Sequence, residues 1–222
     1  MAGSTEAARG CFVVIDGVDG CGKTTQAGRL CRALAEAGRP EPLHLREPGS
    51  TRLGETLREI LLGSEHAISP KVQSLLFAAA RRQTLEELVE PALAAGRDVV
   101  CERFHPSTFA YQAVAGGDDE ASVLELLGRW ADQPSPDLVL LLMIEPEQAA
   151  RRIAARGGAS ATASDRFEGQ GLAFQRKVFD GLERYAELAA RHGLGGRVVR
   201  LDGSGDEDRV AASILQEVQR AL

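Results

Sequence analysis

Residues 12 to 30 read FVVIDGVDGCGKTTQAGRL, and within them Gly17, Val18, Asp19, Gly20, Cys21, Gly22, Lys23 and Thr24 satisfy the spacing G-x-x-x-x-G-K-[ST]. The chemistry this arrangement suits is the holding of a nucleoside triphosphate. Successive backbone N–H groups and a helix N-terminus solvate closely spaced anionic oxygens, so glycines are wanted where the backbone must turn and come close. Lys23 would reach the β- and γ-phosphates as a point charge. The Thr24 hydroxyl, with Thr25 beside it, would hold the Mg2+ that bridges them. A chance glycine-rich turn has no reason to lie between an apolar run and an amphipathic stretch, and this one does.

Other residues able to meet phosphate are scattered along the chain. Arg46-Glu47-Pro48-Gly49, Glu102-Arg103-Phe104 and Asp202-Gly203 each follow an apolar run, and two of them set arginine beside a carboxylate. A surface salt bridge is the simpler account of any one of them. Convergence on the phosphate loop is the account that covers all of them. Arg81-Arg82, Arg151-Arg152 with Arg156, and Arg166 add local positive charge to a chain whose net charge is −6. That acidic balance argues against a general nucleic-acid binder. The 23 arginines against three lysines suit forked recognition of phosphate, although genomic base composition produces the same bias. Cys11, Cys21, Cys31 and Cys101 lack paired metal-ligand spacing and read as small buried thiols rather than zinc ligands or disulfides.

The elements that must position these groups follow from periodicity and punctuation. With 222 residues and 44% hydrophobic content the chain is long enough for one α/β domain over 1–222, its first ten residues a disordered tail. No apolar stretch approaches the roughly 18 to 20 residues a membrane span needs, and a cytoplasmic protein is expected. Strands are predicted from 12 up to the glycine at 17, and at 43–46, 98–101, 138–144 and 197–201. Helices are predicted at 24–37, 51–62, 69–90, 107–114, 120–130, from 146 to the glycines at 157–158, at 172–191 and from 206. The uninterrupted apolar run at 138–144 calls for burial on both faces. The alternation as a whole predicts a doubly wound parallel sheet of about five strands flanked by helices, with its ligand site at the carboxyl ends of the strands. Residues 157–164, GGASATAS, are small and polar and form a candidate mobile loop.

The phosphate loop with Asp19, the Arg46-Glu47-Pro48-Gly49 segment, Phe77-Ala-Ala-Ala-Arg81, the Arg103 segment ending Ala-Tyr-Gln, then Arg156-Gly157 and Asp165-Arg166-Phe167-Glu168 resemble thymidylate kinase over nearly the whole chain. The resemblance implies a P-loop nucleoside monophosphate kinase fold, a homodimer, and transfer of the γ-phosphoryl group of ATP to dTMP with Mg2+, in the synthesis of dTTP. It implies that Arg46 and Arg103 grip the dTMP phosphate, that Phe77 lies against the thymine ring and Arg81 bonds its edge. Asp19 would accept from the sugar 3′-hydroxyl, and Ser107, Thr108, Tyr111 and Gln112 would line the base and sugar pocket. A lid at about 151–170 would close over ATP, and with Gly20 in the loop the chain resembles the branch whose catalytic arginines, here Arg156 and Arg166, come from that lid. Glu102 stands where the family usually has aspartate, with a role toward magnesium-bound water, and Ser50 replaces a second glycine. If position 50 requires positive φ, serine carries strain there. Another nucleoside monophosphate or deoxynucleoside kinase, or a degenerate nucleotide-binding subunit, would share the fold. A GTP-dependent switch would need Asn-Lys-x-Asp, and the chain contains no asparagine.

Overall fold

The computed structural model describes residues 9–63, 67–155, 166–167 and 170–222. Five parallel strands, β1 Phe12–Gly17, β2 Leu43–Arg46, β3 Val99–Glu102, β4 Leu138–Met143 and β5 Arg197–Asp202, form one sheet in the order β2-β3-β1-β4-β5. Every residue of β1 and β3 is buried, as are the first five of β4, so both faces of the sheet centre are covered. That explains why these strands read as unbroken apolar runs rather than alternating ones. Registers of Val14 with Cys101 and of Leu45 with Cys101 bring the carboxyl ends of β1, β2 and β3 level with one another.

Helices α1 Lys23–Glu36, α2 Arg52–Leu62, α3 Pro70–Thr84, α4 Glu90–Ala94, α5 His105–Thr108, α6 Glu120–Trp130, α7 Pro146–Ala155, α8 Gly171–Leu188 and α9 Glu207–Gln219 connect and cover the strands. Among the described residues four starts are capped by the side chains their sequences offer: Thr51 accepts from Gly54 N, Ser69 from Val72 N, Asp119 from Ser122 N and Asp206 from Arg209 N. The helix predicted at 69–90 is interrupted. A π-helical segment, Leu85–Val89, joins α3 to α4. The predicted 107–114 helix is likewise a short α5 running into a π-helical stretch, Phe109–Ala115. Apolar periodicity does not distinguish a π turn from an α turn over so short a run, and π segments recur beside functional sites.

A main core of β1, β3 and β4 with the inner faces of α1, α8 and α9 fixes the strand ends, while Phe109, Leu124, Leu127 and Tyr185 form a second cluster between the helices. Asp98, almost fully buried, ties the start of β1 to that of β3 by accepting from Cys11 N at 2.8 Å. It is matched by a two-point pair with Arg39. No described helix is long and apolar enough to cross a membrane.

Candidate active site

The carboxyl ends of β1, β2 and β3 open into a cavity of about 290 Å³. Its lining includes Asp19, Gly20, Gly22, Lys23, Thr24 and Thr25 of the phosphate loop, Arg46 and Arg103, and Phe77, Arg81, Ser107, Thr108, Tyr111 and Gln112. Thus most residues singled out from sequence lie around one space, drawn from segments more than ninety residues apart. Val18 and Cys21 are buried beneath the loop.

Gly22, at φ 100°, caps α1, and Gly20, at φ 81°, comes so close to α7 that a Cβ there would lie 2.7 Å from the Ala149 carbonyl oxygen. Only glycine meets both demands. Lys23 is 8% exposed and its Nζ donates to the carbonyls of Gly17 and Val18, each at 2.9 Å, keeping the ammonium beside the loop whose N–H groups would face phosphate. Thr24 Oγ1 donates to Glu102 Oε2 at 2.5 Å, and Glu102 Oε1 meets His44 Nε2 at 2.9 Å. Burial pushes the Glu102 carboxyl up, but the bonds from His44 and Thr24 outweigh it and hold the group below its ordinary value, ionised at neutral pH. The extra methylene of glutamate therefore still brings a carboxylate to the threonine hydroxyl.

A second set of contacts surrounds Asp19. Its Oδ1 pairs with Arg103 Nη2, its Oδ2 accepts from Tyr111 Oη at 2.9 Å and from Gln175 Nε2 at 3.4 Å. Burial raises the Asp19 carboxyl, yet Arg103 and Lys23 reverse this and leave it below the usual aspartate range. Arg103 has φ 67°, a left-handed conformation that costs a non-glycine residue about 1–3 kcal/mol and is retained where surroundings enforce it. The surroundings here are Asp16, fully buried at the end of β1. Its Oδ2 accepts from the N–H groups of Phe104 and Ser107, both at 3.0 Å, and its Oδ1 from Gly17 N at 2.8 Å and Ser107 Oγ at 2.7 Å. Asp16 thus locks the turn after β3 to the phosphate loop, and Ser107 spends its hydroxyl on Asp16 while accepting from Arg103 Nη1 at 3.0 Å.

Arg81 is 2% exposed. Its Nε donates to Glu47 Oε2 at 2.7 Å, its Nη2 to Thr108 Oγ1 at 3.1 Å, and its guanidinium lies 4.6 Å from the centre of the Phe104 ring. Among the described residues Arg81 Nη1 and Glu47 Oε1 have no hydrogen-bond partner. Burial pushes the Glu47 carboxyl up to about 7 against the pull of Arg81. Gln112 is buried and its Nε2 donates to Gln73 Oε1 at 3.2 Å. Phe77 is half-buried against the main core and forms part of the cavity wall.

Arg166 is placed differently from the phosphate role drawn from the resemblance. Its guanidinium donates to the Gly63 carbonyl from Nε at 3.2 Å and Nη2 at 2.5 Å, and its backbone N–H to the Leu62 carbonyl at 3.0 Å. These carbonyls end α2, where a helix has acceptors to satisfy and a negative dipole end to offset. It is absent from the main cavity lining and borders a neighbouring space with Phe174 and Lys177. Arg156 and the 157–164 loop lie outside the described residues. Sequence reasoning passed over Asp16, Arg58 and Gln175, and gave Phe167 no role of its own. For Asp16 a signal existed, an aspartate inside the apolar run FVVIDG. For Arg58, whose Nη1 donates to the Pro48 carbonyl at 2.9 Å, helical spacing alone marks no site.

Among the described residues no cluster of three or more His, Cys, Asp or Glu side chains is shaped for a metal. The donor set at Thr24 and Glu102, one hydroxyl and one ionised carboxylate on a phosphate loop, instead suits Mg2+, which takes few protein ligands and fills its shell with phosphate oxygens and water. Comparison with known proteins agrees with this geometry. The chain matches the thymidylate kinase family over residues 15–214. It is 41% identical over 211 residues to a thymidylate kinase of Dinoroseobacter shibae, covering 93% of this chain and 95% of the other. It is 41% identical over 216 residues to one of Pelotomaculum thermopropionicum, covering 96% and 95%, and 36% identical over 217 residues to one of Chlorobium chlorochromatii, covering 95% of each. A phosphate loop facing a second, arginine-walled pocket across one cavity, and a match that runs almost from end to end, place this chain in the thymidylate kinase family.

Proposed function

We propose that the cavity takes dTMP against Phe77, Arg81 and Arg103 and the triphosphate of ATP on residues 17–25, and that the γ-phosphoryl group passes between them. As a member of its family the chain is an ATP-dependent nucleoside monophosphate kinase that forms dTDP from dTMP. The observation that carries the assignment to this cavity is its dual lining, with Lys23 and Thr24 on one element and the buried Arg81 with Phe77 on another.

A phosphate monoester is already largely dianionic at neutral pH, its second pKa being about 6, so the acceptor needs no general base. Two polyanions must instead be aligned and their repulsion offset. Lys23 leaves the carbonyls of Gly17 and Val18 for phosphate oxygens at little cost, since it exchanges one set of acceptors for another. Arg46 is exposed at the end of β2, and Arg103 stands on the turn fixed by Asp16; together they grip the acceptor phosphate. Asp19 takes the sugar 3′-hydroxyl, and Tyr111 holds that carboxylate in place. Arg81, held rigid by Glu47 and Thr108, offers Nη1 to the base edge, with Gln112 beside it. Thr24 and Glu102 would hold Mg2+, which would supply charge neutralisation on the transferring group. Arg156 and the lid supply the remaining positive charge.

The protein is proposed to be cytoplasmic and homodimeric. Four free cysteines suit a reducing compartment, and Leu53 on α2 with Val72 and Leu75 on α3 expose apolar surface on two helices that pack together. The test of the activity is ADP formation with Mg-ATP and, separately, dTMP, dUMP, dGMP, dCMP, AMP and thymidine. Turnover is expected with dTMP and is expected to fall at least about a hundredfold in Lys23→Ala. Turnover confined to another acceptor would overturn the substrate, and ATP binding without any acceptor turnover would mark a degenerate subunit.

A further inference from the structure

Two basic side chains of β2 share a sheet face with Glu102. In the parallel pairing of β2 with β3, His44 is level with Val100 and Arg46 with Glu102, so positions 44, 46, 100 and 102 lie on one face and the buried Leu45 on the other. Arg46 is the nearer in register, yet among the described residues the only ion pair of Glu102 is with the imidazole of His44. His44 Nε2 lies 2.9 Å from Glu102 Oε1. Arg46 lines the cavity and His44 does not. The acceptor-facing guanidinium and the loop-facing carboxylate are thus kept apart on neighbouring strands, with His44 on the carboxylate.

Glu102 is a side chain whose direction has to be set. It is buried at the end of β3, and glutamate has one more rotatable bond than aspartate. Its two oxygens are fixed from two different elements: Oε1 by His44 of β2, and Oε2 by the Thr24 hydroxyl of α1 at 2.5 Å. Burial raises the Glu102 carboxyl, and of the bonds that bring it back below its ordinary value the one from His44 comes first, ahead of Thr24. An ionised carboxylate only accepts, so His44 Nε2 carries the hydrogen whether the ring is neutral or charged, and the bond does not depend on the ring's charge. The same logic applies to Thr24. A hydroxyl that gives its hydrogen to a carboxylate keeps its oxygen lone pairs for a cation.

We propose that His44 is the positioning residue for the Mg2+ end of the site: by holding Glu102 Oε1 it aims Oε2 at Thr24 and so turns the threonine oxygen to the metal. This deepens the phosphoryl-transfer reading and rests on it. Because His44 stands outside the cavity lining, its influence on the site passes through Glu102. Its side chain is 36% exposed, so its replacement opens no hole in the core. Without the imidazole, Glu102 gains freedom to swing toward water or Arg46, and Thr24 loses a partner set in advance. Outer groups that orient ligands in this way tune how tightly a metal is held.

The test is equilibrium binding of β,γ-imido-ATP, with Mg2+ and with the metal removed by EDTA, beside Mg2+ titration of activity. It compares wild type, His44→Phe, His44→Gln, Glu102→Gln and the double variant of His44→Phe with Glu102→Gln. His44→Phe keeps a ring and loses the donor. It is expected to weaken the magnesium complex about fivefold and to leave metal-free binding within about twofold of wild type. The Mg2+ concentration for half-maximal activity should rise by a similar factor, about fivefold. His44→Gln, which returns an N–H to the carboxylate, should recover both to within about twofold of wild type. In the Glu102→Gln background His44→Phe should add less than about twofold, because its route to the metal is already cut. Equal loss with and without Mg2+, the full effect in the Glu102→Gln background, or an unchanged magnesium requirement in His44→Phe would each overturn the positioning role while leaving the kinase intact. Wild-type protein that binds the analogue equally well with and without Mg2+ would overturn the metal assignment at Thr24 and Glu102, and the role of His44 with it.

Discussion

At the scale of single residues, the site is governed by where buried charges find partners. Arg81 and Glu47 neutralise one another away from water, and Thr108 takes a further guanidinium N–H. Such a pair specifies geometry more than it adds stability, which suits the proposed role of Arg81, to present one donor at a fixed place. Glu102, one of the two departures expected from the resemblance, remains bonded to Thr24 and His44. Glu102→Gln keeps the size and removes the charge. The Mg2+ concentration for half-maximal activity is expected to rise about tenfold, with KM for dTMP changed less than about threefold. Titrating activity with Mg2+ at fixed ATP checks this, and an unchanged magnesium requirement would remove Glu102 from the metal's surroundings.

Among the elements, the loop after β2 shows how local strain is offset. Ser50 has φ 69°, the positive value that a glycine would adopt freely. Its N–H donates to Glu55 Oε1 at 2.9 Å, and its hydroxyl lies 3.2 Å from both the N–H and the carbonyl of Arg46. Serine thus carries the strain and ties the loop to the arginine it presents. Ser50→Ala, which keeps the strain and loses the hydroxyl, is expected to cost about 1 kcal/mol in urea unfolding, whereas Ser50→Gly stays within about 0.5 kcal/mol of wild type. Most elements were legible beforehand for plain reasons. Gly22 and Lys23 mark a loop by spacing, Ser69-Pro70 marks a helix start by chemistry, and residues 138–143 mark a buried strand by composition. The π segments at 85–89 and 109–115 were not, because they shift a hydrogen-bond register without shifting the apolar pattern. Nor was the anchoring of Arg166, since a helix end more than a hundred residues earlier leaves no mark on the sequence around it.

For the molecule as a whole, one exposed apolar surface shares a helix, α3, with part of the site. Leu75 is 52% exposed on α3, and that helix also carries Phe77 and Arg81. A dimer that covers Leu53, Val72 and Leu75 would brace the helix reading the acceptor, and burial of more than about 1,000 Å² in total would suffice for a specific interface. Leu75→Glu is expected to convert dimer to monomer by light scattering and to abolish any protein-concentration dependence of Tm; dimers that persist in this variant would assign the interface elsewhere. The ion pair between Arg103 and Asp19 bears on the pace of the catalytic cycle. Asp19 would be an intramolecular rival to the phosphate that Arg103 is proposed to hold, and its effective concentration is set by the fold rather than by metabolite levels. In the proposed cycle a departing dTDP would leave Arg103 a replacement partner rather than an unpaired cation, which would lower the barrier to dissociation, a step that limits many enzymes.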